Sequence, residues 1–333
     1  MKKAIIFTCF ALALLSCNEE NNECVYQPDI SDQEINIEIE RLGDKLLGVS
    51  SREELKQFLI DEPIITNFFL KPSEYPNQEV MIDELYKRFQ NPHIDTLQAE
   101  IDRVFGDLSQ LKEELNSAFS HIKYYYPDAR IPKIKTVATG LAHDMYVSDS
   151  LIVIGLDFYL GEGAKYRPLG VFDYMLKRYA PEYIVPSIML LQGISDDFNK
   201  TDLSDETILA DIVAYGKSFY FAKHMMPCTP DSVIIWYSDE EIKGAMENQD
   251  IIWAHFIEKE LLFETNHMVK KKYIEPRPKT YEIGEKAPGR IGTWLGWQIV
   301  KKYAEEEDAS LPEVMNTKEP RVLFNKSKYR PAR

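Results

Sequence analysis

The sequence predicts an α+β fold that is mainly helical, built as one domain with a small β-sheet or hairpin. Three observations lead there. Apolar residues recur every three or four positions along most of the chain, the period of an amphipathic helix. Two runs rich in β-branched residues, 131–139 and 151–159, interrupt that period in one region. No internal repeat or low-complexity linker divides the remainder, and a mature length near 317 residues suits one large domain or two modest ones.

The first element is a signal segment. Lys2 and Lys3 precede an apolar run from Ala4 to Leu15 that only Thr8 interrupts, and Leu14-Leu15-Ser16-Cys17 closes it. The run is about a dozen residues, short of the roughly 20 that a membrane-spanning helix needs. A basic start, a short apolar middle and a small residue at the cut make a secretory signal. The closing tetrad resembles the lipobox of bacterial lipoproteins, which implies cleavage after Ser16 and lipid on Cys17. A plain signal peptide with a cysteine nearby is the alternative. Asn18-Glu19-Glu20-Asn21-Asn22-Glu23 has no apolar side chain to pack and is expected to form an extended tether. The expected division is a signal peptide at 1–16, the lipidated cysteine and tether at 17–30, and a helix-rich domain at 31–333.

Within the domain, Ser51-Arg52-Glu53-Glu54 has the form of a capping box and opens a helix with Leu55, Phe58 and Leu59 on one face. Helical spacing returns over 81–89 and over 97–122, where Ile101, Val104, Leu108, Leu111, Leu115 and Phe119 share a stripe. The two β-branched runs follow, with polar turn material between them, and predict adjacent strands in a hairpin. Helices are predicted over 171–179, 183–192 and 209–224, then over 240–248 behind a second capping box at Ser238-Asp239-Glu240-Glu241. Ile252, Trp253, Phe256, Ile257 and Leu261 mark another. Pro276, Pro278, Pro288 and Gly289 define a loop that no helix crosses unbroken.

The last strong helix covers 292–306, with Trp294, Leu295, Ile299 and Tyr303 along its stripe. Its end, Glu305-Glu306-Glu307-Asp308, opposes the helix dipole, so fraying is expected there. The basic tail with Lys318, Arg321, Lys326, Lys328, Arg330 and Arg333 reads either as a solvated terminus or as a surface for an acidic partner.

Loss of Lys2 and Lys3 takes the formal charge from −15 to −17. That argues against nucleic acid as a partner and against electrostatic docking on anionic lipid. Cys9 leaves with the signal and Cys17 is acylated, so Cys24 and Cys228 remain. An oxidising compartment permits one disulfide, but two cysteines so far apart give no indication of pairing, and both are expected to stay free.

The chain offers little conventional chemistry. None of its six histidines has the i, i+4 spacing of a zinc-binding HExxH helix. There is no GxSxG elbow, phosphate-binding glycine loop or dinucleotide fingerprint, and no cofactor is predicted. His143-Asp144 is the most suggestive pair, yet a solvated loop is the expected reading. Asp196, Asp197, Asp202, Asp205 and Asp211 lack EF-hand spacing and are expected to form a solvated acidic loop.

Three tracts carry a resemblance. The first is Gly155-Leu156-Asp157-Phe158-Tyr159-Leu160-Gly161 with Tyr179-Ala180-Pro181-Glu182-Tyr183-Ile184. The second is Tyr215-Gly216-Lys217 with Tyr220-Phe221 and Met226-Pro227. The third is Pro288-Gly289-Arg290-Ile291-Gly292 with Trp294-Leu295-Gly296 and Ile299-Val300. In this order, behind a lipobox and ahead of Lys326-Ser327-Lys328-Tyr329-Arg330-Pro331, they resemble the gliding motility lipoprotein GldB family of the Bacteroidetes. The acidic tether is similar to that of surface-exported lipoproteins in the same phylum, although a simple spacer explains it equally.

The resemblance implies a zincin-like domain, a degenerate relative of predicted zinc proteases that lacks HExxH. The ligand helix would run through Ile184-Val185-Pro186-Ser187-Ile188-Met189, and Tyr215-Gly216 would replace a Glu-Gly pair. Ile184, Val185, Met189 and Tyr215 would thus mark a former metal site, with Tyr215 expected as a packed aromatic and a polar role in that cleft as the alternative. Trp294 is expected in the core, although Trp294 and Trp297 offer a recognition surface as the alternative.

The implied role is a non-enzymatic, membrane-anchored part of the gliding and type IX secretion-associated envelope machinery, working beside other envelope proteins. It would sit lipid-anchored in the outer or inner membrane, with surface exposure open. A metal-dependent peptidase drawing ligands from His224, His255 or His267 is one alternative. A surface lipoprotein binding glycan or peptide through exposed aromatics is another.

Overall fold

A helix that is apolar on every side belongs in the middle of a fold. Ile208–Met225 takes that place in the computed structural model, which describes residues 24–331. Thr207 caps it by accepting from the Ala210 amide, and along its length only Asp211 and Tyr215 escape burial. Around this central helix pack Ser109–Tyr125, Ile184–Ile194, Ile291–Glu307 and Pro320–Ser327. The tightest approach is to Ile291–Glu307, where Gly216 and Gly296 let two backbones touch. Lys217, fully buried, donates to the carbonyl oxygens of Met315 and Thr317 and ties the C-terminal segment to the centre. Burial pushes its ammonium down to about 7.

The signal peptide, Cys17, the tether 18–23 and Arg333 lie outside the described residues. Cys24 and Cys228, expected to stay free, form a disulfide. Neighbouring contacts bring the two ends together: the Val25 amide donates to the Pro227 carbonyl at 3.3 Å, and Tyr26 stacks on His224 at 4.1 Å. A separation of 204 residues hides such a pairing from any reading of spacing.

The single sheet has the order β1-β2-β4-β3, with β1 at Ile39–Arg41, β2 at Lys133–Val137, β3 at Met145–Val147 and β4 at Leu151–Gly155. The hairpin prediction needs correction. The two β-branched runs become β2 and β4, which lie parallel with Lys133 opposite Leu151 and Val137 opposite Gly155. The hairpin is β3–β4, turned where the Ser148 amide donates to the Leu151 carbonyl. Ile152, Val153 and Ile154 are wholly buried, the continuous apolar run that a covered parallel strand shows. Strand β1 lies outside the two runs predicted as strands. It is three residues long, pairs parallel with β2, and places Glu40 beside Lys135, which also grips Glu62 at 2.8 Å.

Several helix boundaries also shift. The single helix expected over 97–122 is two, His93–Phe105 and Ser109–Tyr125, because Gly106 (φ 53°) and Leu108 (φ 66°) turn left-handed between them. The helix expected over 171–179 reduces to Asp173–Leu176. Ser238 and Glu241 make a complete capping box. At Ser51 only the hydroxyl half forms, and the Glu54 carboxylate takes the Ser50 amide and hydroxyl instead.

The acidic end of Ile291–Glu307 does not fray. Lys302 and Lys328 reach Glu306 and hold its carboxyl down at about 2, while Lys326 reaches Glu307. Lys326 and Lys328 of the basic tail thus find their acidic partners on this chain's own helix. The tail itself forms Pro320–Ser327 and buries Leu323 and Tyr329.

Candidate functional site

Tyr215 is the one aromatic of the central helix that leaves the core, and 41% of it is exposed. It faces a cavity of about 360 Å³ bounded by Asp144, Tyr159, Arg178, Tyr179, Trp236 and Arg290, with Leu190, Leu191 and Phe219 supplying an apolar wall. The expected packed aromatic is thus a cleft residue. A second cavity of about 270 Å³ adjoins it, sharing Arg178, Trp236 and Arg290 and adding Tyr237, Glu241 and Arg277.

Local backbone geometry positions the shared wall. Trp236 ends the short helix Asp231–Ile235 in the left-handed region (φ 60°), and Arg290 starts Ile291–Glu307 in the same region (φ 57°). Bulky residues avoid that conformation unless surroundings impose it. Here the surroundings do. The Arg290 guanidinium donates to the Ile235 carbonyl and stacks on Trp236 at 4.9 Å, while the Tyr237 hydroxyl donates to the Gly289 carbonyl at 2.7 Å. Arg178 stacks on Trp236 as well, also at 4.9 Å. Among the described residues neither arginine has a carboxylate within salt-bridge distance. Burial presses the Arg290 guanidinium below its usual value, and the Arg178 charge acts in the same sense.

Asp144 supplies the opposite charge at the other end. Its carboxylate accepts from the Tyr179 hydroxyl at 3.1 Å and sits 3.2 Å from the His143 ring. Burial works to raise its pKa, but the bonds from His143 and Tyr179 outweigh that and hold it below the usual carboxylate value. His143-Asp144 is consequently a half-buried pair at a cleft wall, not the solvated loop expected. Burial, then the Asp144 charge, pushes the phenols of Tyr159 and Tyr179 up.

The residues drawn from three distant tracts meet in this cleft: Tyr159 and Tyr179 from the first, Tyr215 from the second, Arg290 from the third. The profile described as gliding motility protein GldB matches residues 23–331. The chain belongs to the GldB family. No curated protein and no solved structure matches it.

Of the positions proposed as a former metal site in this GldB-family chain, Ile184, Val185 and Met189 are in the core, at 0%, 2% and 0% exposure. Tyr215 alone faces the cleft, which takes Ser187, Leu190, Leu191 and Ile194 from that same helix. Pro186 causes no break, because it falls in the first turn, where an amide has no helical partner to lose.

Among the described residues no three His, Cys, Asp or Glu side chains gather as a metal-binding group. The His224 ring bonds the Tyr220 carbonyl, His255 bonds the Tyr273 hydroxyl, and His267 lies 3.8 Å from Glu275. The acidic stretch also disperses: Asp205 faces Arg321, Asp211 pairs with Lys270, and Asp202 accepts from the Ser204 amide. Trp294 and Trp297 are both fully buried, which removes them as a recognition surface.

Sequence reasoning missed Arg178, Trp236 and Arg290, although Arg290 sits inside a quoted tract and Arg178 borders another. Asp157, quoted in the first tract without a role, is a fully buried carboxylate that accepts from the Thr139 and Leu141 amides at 3.0 and 2.7 Å. That contact folds the loop between β2 and β3.

Proposed function

We propose that this chain is a lipid-anchored, non-enzymatic component of the gliding motility and type IX secretion-associated envelope machinery. The observation that carries the reading is the family match over residues 23–331. Two features support its place in the envelope. The first seventeen residues have the form of a lipoprotein signal, and a disulfide between Cys24 and Cys228 suits an oxidising compartment. Among the described residues no helix is long and apolar enough to cross a membrane, so attachment would rest on lipid at Cys17. A scaffold or binding role is favoured over a peptidase because Ile184, Val185 and Met189 carry no ligand atoms.

The test is genetic and chemical together. Deleting the gene stops cell gliding and colony spreading, the wild-type gene restores both, and a Cys17→Ala copy neither takes up labelled fatty acid nor stays in the membrane fraction. Normal gliding in the deletion strain would refute the motility role, and undiminished labelling of the Cys17→Ala protein would refute the anchor.

A further inference from the structure

Two guanidiniums stacked on one indole, in a chain of net charge −15, need an explanation. Half-buried cations such as these still lose hydration, and a protein ordinarily pairs them with a carboxylate. This one does not supply it to Arg178 or Arg290 among the described residues; their partners are a carbonyl oxygen and the faces of Tyr179 and Trp236. Glu241, the acid nearest the second cavity, is already committed to Lys279 at 2.7 Å and to the Ser238 amide. Trp236 also keeps an indole N–H that is buried with no acceptor among the described residues. The wall thus presents two cations without a carboxylate partner, beside an indole N–H that is itself sealed from solvent.

The rest of the cleft narrows the ligand. Leu190, Leu191, Ile194 and Phe219 line the 360 Å³ cavity beside the arginines, a volume for one large apolar side chain and the backbone that carries it. Asp144 stands at the other end of the cleft; its Oδ1 takes the Met145 amide, and its Oδ2, bonded to Tyr179, keeps a second lone pair for a peptide N–H. Its negative charge disfavours a dianion such as phosphate. A planar carboxylate matches the guanidinium fork, and one negative charge is what the site balances.

We propose that the Arg178–Trp236–Arg290 cleft captures the C-terminal residue of a polypeptide partner, with the α-carboxylate on the two arginines and an apolar side chain against Leu190 and Phe219. This assignment does not depend on the motility role, because binding is read on the purified protein without cells.

The experiment uses the full chain in detergent and follows tryptophan fluorescence during titration with N-acetyl-alanyl-phenylalanine. The same peptide as its C-terminal amide and inorganic phosphate serve as comparison probes. The free acid is expected to saturate the signal, and the amide to bind at least about tenfold more weakly, the weight of a charge-assisted bond. Arg178→Gln is expected to weaken the acid by about the same factor and leave the amide unchanged. Leu191→Glu, at a position 46% exposed and tolerant of charge, is expected to weaken the acid as well, and it carries the test if the arginine variant fails to fold. Equal binding of acid and amide, tighter binding of phosphate than of the acid, or no binding of either peptide would each overturn the proposal.

Discussion

Gly216 of the central helix lies directly against the backbone of Gly296, so two buried helices cross with no side chain between them. A Cβ at Gly296 would fall onto the Ile212 carbonyl, and one at Gly216 onto the Gly296 peptide. The only relief is to push the helices apart and open the core. Gly216→Ala and Gly296→Ala are each expected to cost at least about 3 kcal/mol, the upper end for overpacking. Gly244→Ala, in an exposed helix with nothing within 4 Å, should instead gain about 0.5–1 kcal/mol. Urea unfolding of the three variants checks this, and similar behaviour at all three positions would contradict it.

The buried groups Asp157 and His224 should give opposite pH dependences. Burial pushes Asp157 up from 3.8 to about 6, so the folded state holds its proton more tightly and this group's stabilisation declines as pH rises through that window. Burial pushes His224 down from 6.5 to about 4, so the unfolded state binds the proton first and stabilisation is lost as pH falls from 6.5 towards 4. Each effect reaches about 3 kcal/mol at most. Between pH 4 and 6.5, Asp157→Asn should therefore gain stability relative to wild type as pH rises, and His224→Gln should lose it. Unfolding free energies for both variants across that range decide the matter; traces parallel to wild type would remove the argument.

Mass mapping should find Cys24 and Cys228 alkylated only after reduction. Replacing both with serine is expected to cost about 2–5 kcal/mol. It should also free Tyr26 from its stack on His224, visible as a change in near-ultraviolet circular dichroism. Alkylation of both thiols without reductant would mean the pairing is absent.

The C-terminal helix should be held by its apolar face and not by its charges. Leu323 is fully buried, so Leu323→Ala is expected to cost about 2–5 kcal/mol. The ion pairs of Lys326 and Lys328 are solvent-exposed, and Lys326→Gln with Lys328→Gln should leave the melting temperature within error at physiological salt. A larger loss from the charge variant than from the leucine variant would reverse the assignment.

Periodicity made much of this fold legible. The central helix, the helix after Gly289 and the box at Ser238 depend on residues that touch within a few positions, and all three fall where their patterns place them. What escaped depends on distant partners. Whether two β-branched runs lie parallel or antiparallel is fixed by a third, three-residue strand at Met145–Val147. Glu305 to Asp308 reads as frayed only until Lys326 and Lys328 arrive from a later helix.

The site follows the same division. Tyr215 was singled out from its tract, but its exposure comes from the cleft that Arg178 and Arg290 help to close. Those arginines gain meaning from a tryptophan that is 58 residues from one and 54 from the other along the chain. No local pattern records that stack.

The Cys24–Cys228 bond also sets a mechanical route. A pull arriving at the N-terminal end of the described chain crosses covalently to Cys228, in the loop just behind the central helix. The load enters the densest part of the protein, and the 203 residues between the cysteines form a closed loop that it need not stretch. Strand β1, held by only three register pairs, would otherwise be the first strand in line to peel away. The disulfide would thus spare the sheet from a pull on the N-terminal end and pass the load to the end of the central helix.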